Sequence, residues 1–297
     1  MKNISQNKTP FIISEIGSNH NGSLKLAEKL ITLSKDCGCD AVKFQSFDAE
    51  LFCEDFYNKN PNLKDDVIKY SLNFEQLKHL RRFCKKIGIL FGTAVFSKKQ
   101  FIEAERINCD FIKIASMDLN NDILLETVIK TKKLLIISTG LSNEKEIINC
   151  SNFLKKNKKK NVVFLHCVSV YPPKDKKDLN LNYIKRLKQI TGFDVGYSDH
   201  SIGYEASIIA SFLGSTVIEK HFTHNRKAIG WDHNISADPK MMKKIVNISK
   251  DFNKYLGFQK KVISLDERKS QKIMRRSVCI YRDIQKGEKI DESNLSL

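Results

Sequence analysis

Eight short runs rich in β-branched and aromatic residues, each followed by a segment with helical spacing, constrain this chain more than any other feature. They are FIISE (11–15), AVKFQ (41–45), ILFGT (89–93), FIKIA (111–115), LLIIS (134–138), VVFLH (162–166), DVGYS (194–198) and TVIEK (216–220). Between them lie stretches such as SLKLAEKLITLSKDCG, in which Leu24, Ala27, Leu30, Ile31 and Ser34 recur at helical spacing before a glycine. NFEQLKHLRRFCKKIG opens on a capping-box pair, Asn73 and Gln76, and also ends in glycine. Strand–helix alternation repeated eight times over about 240 residues predicts an α/β fold, a (β/α)8 TIM barrel. A doubly wound sheet would need a glycine-rich phosphate turn after an early strand, and no GxGxxG or Walker motif is present.

After PKMMKKIVNISKDFNKYLG (239–257) the rhythm breaks. The expected organisation is a catalytic barrel over 1–258, a charged linker over 259–274 and a terminal segment over 275–297, where SVCIYRDI and KGE read as a strand and a turn. No apolar run approaches the roughly 20 residues that span a bilayer, and MKNISQNKTP lacks the layout of a signal peptide. A cytoplasmic protein without a membrane partner is therefore expected. The eight cysteines include a CxC, Cys37 and Cys39, but no CxxC, and read as buried thiols. The net charge of +17 suits anionic small molecules. Lysines are spread along the chain, and the one dense run, KKNKKK (155–160), lies between a helix and a strand, so nucleic acid is not expected as a partner.

In a barrel of this kind the active site is built at the C-terminal ends of the strands. Those positions carry Glu15, Asn19 and His20; Lys43 and Gln45; Thr93; Lys113 and Ser116; Ser138 and Thr139; and His166, Ser169 and Tyr171. Strands seven and eight add Ser198, Asp199, His200, Glu219, Lys220, His221 and His224, and Asp232 and His233 follow. Six of the seven histidines fall in this set, which points to a catalytic mouth. Glu15 stands in an apolar run, where a carboxylate is costly to bury unless it is paired or used. His200 and His221, on adjacent strands, suit one divalent metal held from two sides; satisfaction by hydrogen bonds within the core is the alternative. Lys43 and Lys113, with Thr93, Ser116, Ser138 and Ser198, suit a phosphate and a carboxylate on one small molecule. A Schiff base on one of these lysines is the other chemistry open at this point.

The segments SEIGSNHNGSLKLAEKLI, CDAVKFQSF, FGTAVFS, FIKIAS, IISTGLS, LHCVSVYP, GYSDHSIG and IEKHFT, taken together and in this order, resemble the sialic acid synthase family. That family includes N-acetylneuraminate, legionaminic acid and pseudaminic acid synthases. The resemblance implies a transferase that condenses phosphoenolpyruvate with an N-acylated amino sugar, either N-acetylmannosamine or a deoxy-diacetamido hexose. Its products would be a nonulosonic acid and phosphate, and its cofactor Mn2+ or Mg2+. By position, His200 and His221 would hold the metal. Lys43, Thr93, Lys113, Ser116, Ser138, Ser169 and Ser198 would grip phosphoenolpyruvate, and Gln45, Tyr171 and Asp232 would contact the sugar. Glu15 would handle protons beside the reacting carbons.

A homodimer is also implied, as is a small antifreeze-like β domain carrying an arginine in an RPG motif. Residues 275–297 look like the opening of that domain and contain no RPG, which leaves a catalytically weak paralogue as an alternative. Many family members have GPDH where this chain has GWDH, which places Trp231 close to the expected sugar pocket. The stretch 47–72 reads as a long loop on the catalytic face. Its Phe52, Phe56 and Tyr57 either close over the sugar, meet a neighbouring subunit or pack within an Ω-loop.

Overall fold

A computed structural model describes residues 9–257 and 260–296. Contacts divide the chain into one unit ending at Tyr255 and another beginning at Leu256. In the first, eight parallel strands close into a barrel: β1 (Phe11–Gly17), β2 (Ala41–Ser46), β3 (Leu90–Val95), β4 (Phe111–Ile114), β5 (Leu134–Ser138), β6 (Val162–Cys167), β7 (Asp194–Asp199) and β8 (Val217–His221). Helices alternate with them: α1 (Leu24–Asp36), α2 (Glu54–Lys59), α3 (Leu63–Tyr70), α4 (Phe74–Ile87), α5 (Lys98–Arg106), α6 (Asp122–Val128), α7 (Glu144–Lys156), α8 (Tyr183–Thr191), α9 (Glu205–Phe212) and α10 (Pro239–Leu256). The chain thus forms the (β/α)8 barrel that its alternation predicts.

Local chemistry fixes the helix ends. The Ser23 side chain accepts from the backbone N–H of Leu26 to start α1, whose buried face is Ala27, Leu30, Ile31 and Ser34. Asn73 and Gln76 form the capping box of α4, and Gly88 closes that helix in the left-handed region at φ 75°.

Alternation along each strand separates two apolar layers. Ile12, Val42, Phe44, Phe91, Ile112, Phe164, Tyr197 and Ile218 face outward into the core shared with the helices. Phe11, Ile13, Ala41, Phe111, Leu134, Ile136, Val163, Leu165 and Val217 face the lumen as a separate cluster. Burial of each large side chain here contributes about 1.5–3 kcal/mol. Gly92 makes room for this layer, because a Cβ there would lie 2.1 Å from the Phe111 ring. The lower lumen is therefore filled with hydrocarbon, and polar groups begin only toward the C-terminal ends of the strands.

One expectation is corrected. The 47–72 stretch is not a structureless loop, since it carries α2 and α3. Phe47, Tyr57, Val67 and Tyr70 give it a small core of its own. Within the stretch read as a linker, Leu265–Met274 forms helix α11, capped by Ser264. The second unit also contains an antiparallel pair, β9 (Cys279–Ile280) with β10 (Leu295–Ser296). All eight cysteines are free; six are buried, and Cys53 and Cys279 are exposed. Among the described residues no helix is long and apolar enough to cross a membrane.

Candidate active site

Above the apolar plug, the next inward positions carry charge. Glu15 on β1 is in register with Lys43 on β2 and with His221 on β8. Ala94 pairs with Lys113 across β3 and β4, and Ser198 with Glu219 across β7 and β8. Two lysines and two glutamates meet there, all buried. Lys43 Nζ lies 2.8 Å from Glu15 Oε2 and 3.8 Å from Glu219 Oε2. Lys113 Nζ donates to both Glu219 oxygens, at 2.8 and 2.9 Å. Ser198 Oγ donates to Glu219 Oε1 at 2.9 Å, and Gln45 Nε2 donates to Glu15 Oε1 at 2.9 Å. Glu15 is thus paired, in a quartet whose formal charges balance.

The two carboxylates are driven apart. Burial pushes Glu15 up to about 7, opposed by Lys43 and assisted by repulsion from Glu219. Burial also works against ionised Glu219, but Lys113 and then Lys43 outweigh it and hold Glu219 well below the usual carboxylate range. Burial lowers Lys113 against the pull of Glu219. At Lys43 burial acts the same way, yet Glu15 and Glu219 prevail and raise it. A strongly ionised carboxylate and one poised near neutrality therefore share one cluster, a division typical of sites that move protons.

The two lumen histidines stand beside this quartet with their rings 5.6 Å apart. His200 Nδ1 is bonded to the Val168 carbonyl at 2.8 Å, and Nε2 lies 3.5 Å from Ser198 Oγ, a residue that lines the same cavity. His221 Nδ1 has no hydrogen-bond partner among the described residues and lies 3.6 Å from Asp232 Oδ2. Burial, followed by repulsion from His221, lowers His200 to about 4. Burial and then Lys43 lower His221 to about 3. Both imidazoles are neutral at neutral pH, the form that offers a lone pair to a metal. An unpartnered nitrogen, two neutral rings and a nearby carboxylate fit a divalent cation. Among the described residues no group of three or more His, Cys, Asp or Glu gathers as a closed ligand set.

These features can be compared with known proteins. The profile of the NeuB family matches residues 30–261. The chain is 36% identical to the N,N'-diacetyllegionaminic acid synthase of Campylobacter jejuni, over 97% of this chain and 90% of that protein. It is 34% identical to the pseudaminic acid synthase of the same species, over 99% of this chain and 88% of that protein. A crystal structure of N-acetylneuraminic acid synthetase from Leptospira borgpetersenii, in complex with citrate, superposes with a TM-score of 0.81 at 33% identity, covering 91% of this chain and 94% of that one.

The chain belongs to the NeuB family. It is an enzyme of the group that includes the sialic, legionaminic and pseudaminic acid synthases, as its motifs indicated.

Against this family membership, most residues expected at the site are found there. Glu15, Lys43, Gln45, Lys113, Ser116, Ser138, Tyr171, Ser198, His200 and His221 line one central cavity. The Tyr171 ring stacks on His200 at 4.2 Å. Asp232 does not line this cavity but lies 3.6 Å from His221 Nδ1; Ser18 Oγ donates to it at 3.1 Å and burial raises its carboxyl. Ser169 lines a neighbouring cavity of about 460 Å3 between the β5–α7 and β6–α8 loops. Gly140 lines this second cavity, and a Cβ there would lie 2.2 Å from Ser169 Oγ and 2.8 Å from Ser116 Oγ, so only glycine leaves room for both hydroxyls.

Thr93 is a correction. It faces outward from β3, fully buried, with its hydroxyl bonded to Ser46 Oγ at 2.7 Å. Ala94 takes the inward position on this strand and lines the cavity in its place. Histidine clustering was also less specific than it looked. His166 faces outward and binds the Leu179 carbonyl at 2.8 Å, while His233 pairs with Thr223 Oγ1 at 2.7 Å. His20 accepts from the Gly22 N–H at 3.0 Å.

Trp231 packs edge-on against Tyr70, with ring centroids 4.9 Å apart, and lies 6.1 Å from Phe47. Its indole N–H donates to Asp66 at 3.4 Å, tying α3 to the loop that bears Asp232. Phe52 packs on Phe56 and Tyr57 within the insertion, with centroids 4.8 and 5.9 Å away. Glu219 was given no role from the sequence, although its place two residues before His221 puts both side chains on one face.

Proposed function

We propose that this NeuB-family enzyme condenses phosphoenolpyruvate with an open-chain N-acylated amino sugar, in a metal-dependent reaction, to give a nonulosonic acid and phosphate. The observation that carries this reading is the buried Lys43–Glu15–Glu219–Lys113 quartet beside two neutral imidazoles. Lys43 and Lys113 hold the phosphate and carboxylate of phosphoenolpyruvate, with Ser116, Ser138, Ser169 and Ser198 donating alongside. Gln45, Tyr171 and Asp232 hold the sugar. A divalent cation, Mn2+ or Mg2+, held by His200 and His221 supplies Lewis-acid polarisation of the sugar aldehyde when bound.

Carbon 3 of phosphoenolpyruvate attacks the aldehyde carbon, and water adds to carbon 2. The tetrahedral adduct then loses phosphate with carbon–oxygen cleavage. Glu15, poised near neutrality, takes the proton of that water and hands it to the alkoxide left on the former aldehyde carbon, which becomes the new hydroxyl. Glu219 keeps the ammonium groups charged and aimed.

A Schiff-base aldolase would use Lys113, whose ammonium form burial disfavours, but the carboxylates facing both lysines favour retained charge. The two readings separate on titration and trapping. Replacing Lys43 or Lys113 by methionine is expected to weaken phosphoenolpyruvate binding about 10- to 100-fold, the worth of one charged hydrogen bond. Chelator should abolish turnover, and borohydride should leave no pyruvate adduct. Chelator-insensitive turnover with an adduct on Lys113 would overturn the proposal.

A further inference from the structure

We infer that Asp199 and Lys220 are a positioning pair that sets the placement of His200 and His221, an inference that rests on the metal reading above. Each residue immediately precedes one of the histidines, and β7 and β8 hold the two directly opposite one another. Strand alternation turns the histidines into the lumen and the pair outward, behind the barrel wall. Neither Asp199 nor Lys220 lines the central cavity.

Lys220 Nζ lies 3.1 Å from Asp199 Oδ2, with both side chains wholly buried. The carboxylate is also fully engaged with the turn that follows β7. Asp199 Oδ1 accepts from the Ser201 N–H at 2.8 Å and from Ser201 Oγ at 2.6 Å. Asp199 Oδ2 accepts from Ser207 Oγ, on α9, at 2.6 Å. Lys220 Nζ closes the circuit by donating to the Ser201 carbonyl. His200 is the middle residue of the turn so clamped, and the lysine that clamps it is bonded into the chain next to His221.

A buried ion pair brings little net stability over apolar residues of the same size, so stability does not account for this one. What the network supplies is geometry. It locks the end of β7 to the end of β8, while the Val168 carbonyl sets the rotation of the His200 ring. Groups bonded directly to a metal-ligating side chain are typically worth 10- to 100-fold in metal affinity, and this pair acts one contact further back, through the turn that carries His200.

The test is Mn2+ titration of the full chain by calorimetry or electron paramagnetic resonance. Four proteins are compared: the unmodified chain, the near-isosteric double variant Asp199→Asn/Lys220→Met, Ser207→Ala, which removes one donor and keeps the ion pair, and His221→Ala. The double variant is expected to lose about tenfold in Mn2+ affinity, the lower end of what directly bonded partners give, while metal-free phosphoenolpyruvate affinity stays within about twofold. Ser207→Ala should lose several-fold in Mn2+ affinity alone, and it carries the test if the double variant does not fold. Unchanged Mn2+ affinity, or equal losses toward Mn2+ and phosphoenolpyruvate, would overturn the inference. Should the unmodified chain and His221→Ala bind Mn2+ equally, the metal reading itself fails.

Discussion

Glu219→Gln tests the charge balance of the quartet with almost no change of shape. The native carboxylate accepts three hydrogen bonds, two from Lys113 and one from Ser198, and stands 3.8 Å from Lys43. Glutamine keeps one carbonyl acceptor and replaces the other oxygen with an amide that faces an ammonium donor. Two buried lysines then share only Glu15. Removing one partner of a buried, hydrogen-bonded ion pair costs about 3–5 kcal/mol. For a chain of this size that is a fall in Tm of about 10 °C. Phosphoenolpyruvate brings negative charge to the same lysines, so it should raise the Tm of the variant by more than that of the unmodified chain. Urea unfolding and calorimetry, each with and without phosphoenolpyruvate, measure both effects. A variant within about 0.5 kcal/mol of the unmodified chain, or one that gains no more than it from the ligand, would mean that Glu219 does not balance the two lysines.

Three further outcomes are expected. Glu15→Gln should lower kcat by about 10²- to 10⁴-fold without weakening phosphoenolpyruvate binding, checked by steady-state kinetics and titration. Trp231→Ala frees α3 from the loop bearing Asp232, so the sugar KM should rise about tenfold, as loss of a well-packed aromatic contact allows, with the phosphoenolpyruvate KM unchanged. His20 is held at about 4 by burial, against an ordinary value of 6.5. Between those values the unfolded chain binds more protons than the fold, so stability falls as the pH drops through that window, by about 3 kcal/mol. His20→Asn, compared with the unmodified chain in urea titrations at pH 7.5 and 4.5, should remove that part of the acid loss.

The barrel was legible because its signals are local. Period-two strands, the Ser23 cap, the Asn73–Gln76 box and the glycine stops each act within a few residues. The positions of Lys43, Lys113, Ser138, Ser198, His200 and His221 follow from strand ends alone. Parity on β3 was not legible, because a motif names neighbours without saying which of Thr93 and Ala94 faces inward. The approach of Gly92 to the Phe111 ring fixes that parity, and it exists only once β3 and β4 are paired. Glu219 was visible but unassigned, because its worth depends on Lys113, 106 residues away. Trp231 meets Asp66 across 165 residues, a contact no local pattern encodes. α2 and α3 are only six and eight residues long, too short for helical periodicity to outweigh the polar, loop-like composition of 47–72.

The condensation itself is read out by phosphate release from phosphoenolpyruvate. The purified chain would be supplied with Mn2+ and, in turn, N-acetylmannosamine, its 6-phosphate and the two deoxy-diacetamido hexoses, with and without chelator, and the product weighed by mass spectrometry. The account predicts release with at least one acceptor, abolished by chelator, with one molecule of nonulosonic acid formed per phosphate. Phosphoenolpyruvate that binds but yields no phosphate with any of these sugars, or release that chelator leaves untouched, would contradict it.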